Sequence, residues 1–412
     1  MTTHSMARAD INPLTGFRFV AAMMVFFSHY AIPGVSGTGL RIAQSGYAGV
    51  TLFFVLSGFI IAYNYLDQFE ARVEPGAVRR FLLARFARVY PLYLFFIVFG
   101  SLTAGAGAPP WAHLLAIQTW SADSEFAFSI NGPAWSIGVE VFFYLMFPLL
   151  VTFLARTGVL VSLRRVQLAA VLVAAAMLGA AVLFTWTGLN NLVPDEPLSA
   201  YRWLFRTPVL RLGDFLLGML GAVFFMRFAA MDAASVRRWG HATLLCALAI
   251  LLLMAAKKNF RSAFSWDVAY ALPAALLIVG LAINRATWIS RLLASAPLLL
   301  LGESSYALYL AHVPARPMLQ EVALGGTLHQ LGVYTMFVLW VIALSVGLHV
   351  AIEKPARRWI RGLSRLAPGR ARPAEPQAPA SRSAAIAPAV TPAQSRPAGR
   401  ERGRPRRRRA AG

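Results

Sequence analysis

Runs of 18 or more apolar residues recur along the first 355 positions of this chain, and no other feature restricts its fold as strongly. A run of that length crosses a ~30 Å hydrocarbon core at ~1.5 Å per residue. With no water in that core, the backbone of each run has to satisfy its own hydrogen bonds, so each run is expected to be a helix. Candidate spans fall near 14–32, 47–66, 88–105, 135–155, 166–187, 205–226, 240–256, 266–284, 298–322 and 331–353. The expectation is therefore an all-α, polytopic integral membrane protein of about ten transmembrane helices. Hydrophobic residues make up 58% of the 412 positions and charged residues only 14%, which argues against two or three soluble domains of the same total length.

The first run is too long for the apolar core of a secretory leader and contains Arg18, so it is expected to remain as the first helix. Ten spans put both termini on one side. With that side assigned to the cytoplasm, twenty basic residues fall in or beside inner segments and seven beside outer ones, as the positive-inside rule requires. From residue 367 onward, aromatic residues are absent, and 11 Arg face only Glu375 and Glu401, giving +9 of the formal +22. Such a composition does not bury a core. Residues 367–412 read as a disordered, Arg/Pro/Ala-rich cytoplasmic tail drawn to anionic lipid, with no nucleic acid expected as partner. The one cysteine, Cys246, lies in a span; it permits no intramolecular disulfide and reads as a helix-packing residue.

Ionisable side chains inside spans carry the functional signal, because each costs at least ~2.5 kcal/mol near the centre of a bilayer. Arg18 and His29 are eleven residues apart, so they share a helix face to within about 20° and lie ~16 Å apart along the axis. That suits a groove gripping an anionic group at the inner end and performing proton chemistry further out. A structural hydrogen bond for His29 and snorkelling for Arg18 are the plainer alternatives. Arg85 and Arg88, at i and i+3 by the inner mouth of the third span, can converge on one phosphate or pyrophosphate; Arg79 and Arg80 read as topology. Glu140, about one turn below the outer interface, needs a partner. It either pairs with Arg211 or Arg206, or orients His29 as a general base. Arg211 and Asp214 read as a structural pair. Trp111, Trp120 and Phe126, in the outer loop before span four, could stack on sugar rings, although interfacial anchoring is the commoner role.

These segments, in order, resemble the membrane-bound acyltransferase-3 family. The resemblance is carried by Arg18-x10-His29, by Gly46-Tyr47-Ala48-Gly49-Val50-Thr51-Leu52-Phe53-Phe54-Val55-Leu56-Ser57-Gly58-Phe59, and by Arg85-x-x-Arg88. Trp135-Ser136-x-x-x-Glu140 with Phe143-Tyr144 and Pro148 follows, then Ser305-Tyr306-Ala307-Leu308-Tyr309-Leu310-x-His312 and Glu353-Lys354-Pro355. It spans about residues 11–360, which makes that stretch the expected transmembrane acyltransferase domain. The resemblance implies an enzyme moving an acyl group, acetyl first among the candidates, from cytoplasmic acyl-CoA to a hydroxyl of a carbohydrate, glycolipid or natural-product acceptor. It makes His29 catalytic, Glu140 its support, and Arg18, Arg85 and Arg88 the acyl-CoA contacts. Ser57, Trp135, Ser136, Tyr144 and His312 are then substrate or structural support, and no metal is implied. The Arg/Ala-rich, Lys-poor composition suggests a GC-rich bacterium and its inner (plasma) membrane, with cell-surface glycan, glycolipid and macrolide acceptors all open. The rival class is a transporter or flippase, since charged residues in spans also mark transport paths; its inverted repeats are not seen. A bare membrane anchor for the tail leaves Arg18, His29 and Glu140 unexplained.

Overall fold

The computed structural model of the chain describes residues 11–103, 109–193, 195–227, 232–256, 262–316 and 327–365. Arg8, Lys257, Lys258, Arg261 and the basic segment 367–412 lie outside the described residues. Among the described residues there is no strand. The ten apolar runs become ten helices: α1 (Asn12–His29), α2 (Ala48–Tyr65), α3 (Pro75–Thr103), α4 (Trp135–Arg156), α5 (Leu163–Trp186), α6 (Pro208–Arg227), α7 (Ala233–Ala255), α8 (Val268–Ile283), α9 (Ala296–Ala311) and α10 (Thr327–Leu348). A π-helical turn, His349–Glu353, joins α10 to α11 (Lys354–Arg365).

Eight helical segments among the described residues are long and apolar enough to cross a membrane. The two helices that fall short, α1 and α9, have 18 and 16 residues and hold the polar side chains Arg18, His29, Glu303, Ser304 and Ser305. They pack along each other, α1 against α2 and α9 against α10. Protein rather than lipid lines much of their surface, which relaxes the demand for hydrophobicity. The helices α5 and α7 show the opposite balance, with Leu168, Leu172, Leu183, Leu244, Leu248 and Leu252 exposed, as lipid-facing helices should.

At the centre α2 packs on α6, and small residues set the separation. A Cβ on Gly58 would collide with the backbone carbonyl of Phe215, and one on Gly218 with that of Val55. Glycine here is a packing requirement, letting two backbones approach closely. A buried clamp joins the same helices to α8: Arg211 bonds Asp214 at 2.9 Å, Asp267 at 3.0 Å and Thr51 Oγ1 at 2.8 Å.

The segment 109–134, expected as an outer loop, is instead folded across one end of the bundle. Three short helical turns, Trp111–Leu114, Gln118–Trp120 and Ser124–Phe128, bury His113, Gln118, Thr119, Ser124 and Asn131. Tyr90 and Tyr93 of α3 donate to the carbonyls of Leu114 and His113 at 2.7 and 2.5 Å, and Thr119 donates to the carbonyl of Arg206 at 2.8 Å. Trp111 and Trp120 remain exposed at its edge.

Candidate active site

Five helices contribute to one narrow cavity of about 80 Å³. Arg18 comes from α1, Phe53, Phe54 and Ser57 from α2, and Arg85 and Arg88 from α3. Ser136, Glu140 and Tyr144 come from α4, and Tyr306 and Tyr309 from α9. Helical spacing aims each group inward: Arg85 and Arg88 at i, i+3, Glu140 and Tyr144 at i, i+4, Tyr306 and Tyr309 at i, i+3. Tyr144 donates to Glu140 at 2.7 Å. Arg85 donates to the Tyr65 hydroxyl at 3.0 Å with its guanidinium 5.0 Å from that ring's centre, while its Nε is buried without a hydrogen-bond partner. Arg88 is ion-paired with Glu353 of the π turn. Glu353 also meets His349 Nδ1 at 2.9 Å, and beyond it His349 Nε2 and Lys354 each lie 3.4 Å from Glu303. Three guanidinium groups and one carboxylate thus line the cavity, an arrangement suited to an anion.

Two histidines meet outside the lining of this cavity. His29 closes α1 with its Nδ1 at 3.0 Å from the Val25 carbonyl. A carbonyl only accepts, so Nδ1 carries the proton and Nε2 keeps a free lone pair. The His29 side chain is exposed. His312 is completely buried, its ring centre 4.9 Å from that of His29. The backbone of Leu308 and Tyr309 lies next to the His312 ring, but among the described residues neither ring nitrogen has a partner in hydrogen-bonding geometry. Tyr309 connects the two regions, since it lines the cavity and lies 5.9 Å, centre to centre, from His312.

Pro314 explains why α9 ends at this point. Lacking an N–H, it leaves the carbonyl of Leu310 without its helical donor, and Asn131 Nδ2 takes the place at 3.0 Å. The carbonyl of His312 accepts instead from the Tyr30 hydroxyl at 2.5 Å. Tyr334 of α10 in turn donates to the Tyr30 carbonyl at 2.9 Å. The rings of Phe26, Tyr30 and Phe337 complete the packing around His312.

A family model described as an acyltransferase domain, acyltransferase-3, matches residues 11–352. The chain belongs to the acyltransferase-3 family. It is similar to the acyltransferase MdmB of Streptomyces mycarofaciens, 29% identical over 317 residues, which are 73% of this chain and 77% of the relative. It is also similar to the O-acetyltransferase OatA of Staphylococcus aureus, 24% identical over 366 residues, covering 84% of this chain and 57% of that protein. A shorter likeness, 42% over 82 residues, joins 20% of the chain to 39% of protein 2 in the picA locus of Rhizobium radiobacter. No solved structure matches the chain. The protein is a multi-pass membrane enzyme that transfers acyl groups.

Within this acyltransferase, Arg18, Ser57, Arg85, Arg88, Ser136, Glu140 and Tyr144 come together on one cavity. His29 and His312 come together outside its lining. Trp135 joins neither group; it packs on Phe54 and Phe205. The pairing expected between Glu140 and His29 is not formed. Glu140 bonds Tyr144 and feels the charges of Arg18, Arg88 and Arg85, and among the described residues no contact joins it to His29. Glu140 therefore sits on the cavity with Arg18 and not with His29. The alternative partners are engaged elsewhere: Arg211 is held by Asp214 and Asp267, and Arg206 donates to the Ala122 carbonyl at 3.3 Å. Sequence reasoning assigned no role to Tyr306, Tyr309, His349 or Glu353. The spacing of His349 and Glu353, ionisable at i, i+4 beside the last span, was the available signal.

Proposed function

We propose that this acyltransferase takes an acetyl group from cytoplasmic acetyl-CoA and transfers it to a hydroxyl of a carbohydrate, glycolipid or natural-product acceptor at the outer half of a bacterial inner membrane. The observation that carries this reading is the continuity from an arginine-lined cavity, through Tyr309, to the His29–His312 pair. The phosphates of CoA suit Arg85, Arg88 and Arg18, and the long, thin pantetheine arm suits a narrow cavity. The name of the Staphylococcus aureus relative, an O-acetyltransferase, supports acetyl as the group moved. Twenty basic residues against seven support a cytoplasmic arginine end with both termini on that side.

In this reading Nε2 of His29 removes the acceptor's hydroxyl proton, its Nδ1 held by Val25. Glu140 offsets part of the arginine charge and, through Tyr144, keeps the cavity wall polar. Free thiol release from acetyl-CoA by the purified protein, offered a panel of glycan and macrolide acceptors, tests the reading. Release that requires an acceptor and is abolished by His29→Ala, with the variant still in the membrane, is the expected result. A fully active His29→Ala variant sinks the assignment of His29, and no release with any acceptor sinks the reading as a whole.

A further inference from the structure

We propose that His312 is a second catalytic imidazole, which receives the acyl group on Nε2 from the donor thioester and passes it to the acceptor hydroxyl. The inference rests on the acetyl-transfer reading above and divides its chemistry between two residues. Neither histidine lines the cavity, but Tyr309 does, and the imidazole in ring contact with Tyr309 is that of His312, 5.9 Å away centre to centre. Buried polar atoms in folded proteins are nearly all hydrogen-bonded, yet both nitrogens of this fully buried ring lack a partner among the described residues. A nucleophile needs such a free lone pair. The backbone of Leu308 and Tyr309 lies next to the ring, as Val25 does for His29, and the step takes the proton on Nδ1 with Nε2 left to react. Enclosure by Phe26, Tyr30 and Tyr309 keeps water from an acyl-imidazole. His29 is the exposed member of the pair and faces the acceptor.

The steps balance without a further reactant. Nε2 of His312 adds to the thioester carbonyl, the C–S bond breaks, and CoA leaves as thiolate with the acyl group on the ring. The acceptor oxygen then attacks the acyl carbon while His29 Nε2 takes its proton. The N–C bond breaks, His312 returns to neutral, and the proton on His29 ends on the thiolate as CoA thiol.

Isotope exchange between acetyl-CoA and labelled free CoA, with no acceptor present, tests the proposal alongside transfer to an acceptor. The wild-type protein is expected to catalyse exchange and to give, on acid quench, an acetyl adduct on the peptide carrying His312. His29→Asn should lose transfer more than 100-fold while keeping exchange within about tenfold of wild type, and His312→Asn should lose both. A wild-type protein that transfers acetyl without exchange overturns the proposal and leaves the acetyl-transfer reading standing. So does a His312→Asn variant with near-normal transfer, or exchange that survives His312→Asn and vanishes in His29→Asn. Absence of both transfer and exchange overturns the two together.

Discussion

Asn131 shows how a single amide can tie the two ends of a sequence to one site. Its Nδ2 fills a carbonyl on Leu310 that Pro314 leaves open, and Leu310 is itself fully buried. Asn131→Leu would strip that carbonyl of its donor, at a cost of about 1–3 kcal/mol, and should lower the unfolding temperature in detergent. It should also reduce transfer, because the carbonyl lies two residues from His312. Glu353 is held more tightly still: it is 1% exposed and neutralises Arg88. Glu353→Gln leaves that guanidinium with a neutral neighbour, a loss expected to approach 3 kcal/mol. Acetyl-CoA titrations should then show a raised KM, with kcat changed less, because the damage falls on the donor end. A kcat loss at unchanged KM would place Glu353 in the chemistry instead.

At the scale of elements, the α2–α6 contact is the most demanding. Gly58→Leu would push a side chain into the Phe215 carbonyl, destabilising the bundle by at least ~1–3 kcal/mol. A Cβ at Gly179 on α5 meets nothing within 4 Å, so Gly179→Leu, which also gains helix propensity, should not lower the unfolding temperature; equal losses from both would refute the packing argument. The helices themselves were legible in the sequence because lipid forces apolar runs to be helical, and the ten runs became α1 to α10. Even the shortest of them, 240–256, is a full helix, Ala233–Ala255, whose polar first turns hid its start. Arg18, Arg85 and Arg88 were singled out in the sequence, and the structure brings all three onto one cavity. What stayed hidden was pairing between distant segments. Nothing in the local pattern around Glu140 says that it meets Arg18 and not His29, or that Arg88 is paired with Glu353 more than 250 positions away. Hydropathy also read 109–134 as a loop, because its burial rests on hydrogen bonds to α3 and to Arg206 rather than on apolar periodicity.

For the whole molecule, the single natural cysteine offers a direct test of orientation. In a Cys246→Ser background, a cysteine at exposed Ser36 should react with a membrane-impermeant maleimide added outside spheroplasts, and one at exposed Arg80 only after lysis. The reverse pattern would invert the topology. The two helices that carry the histidines bear on the membrane as well as on the site. At ~1.5 Å per residue, the 18 residues of α1 and the 16 of α9 extend about 27 and 24 Å, less than a ~30 Å hydrocarbon slab. Around them stand longer helices such as the 29-residue α3. On the proposed reading the catalytic core is therefore shorter than its medium, and its mouths sit recessed in the slab unless the bilayer pinches to meet them. Lipid thickness becomes a kinetic variable. Reconstituted into vesicles of increasing acyl-chain length, the enzyme should transfer more slowly as its mouths sink, while its unfolding temperature stays level.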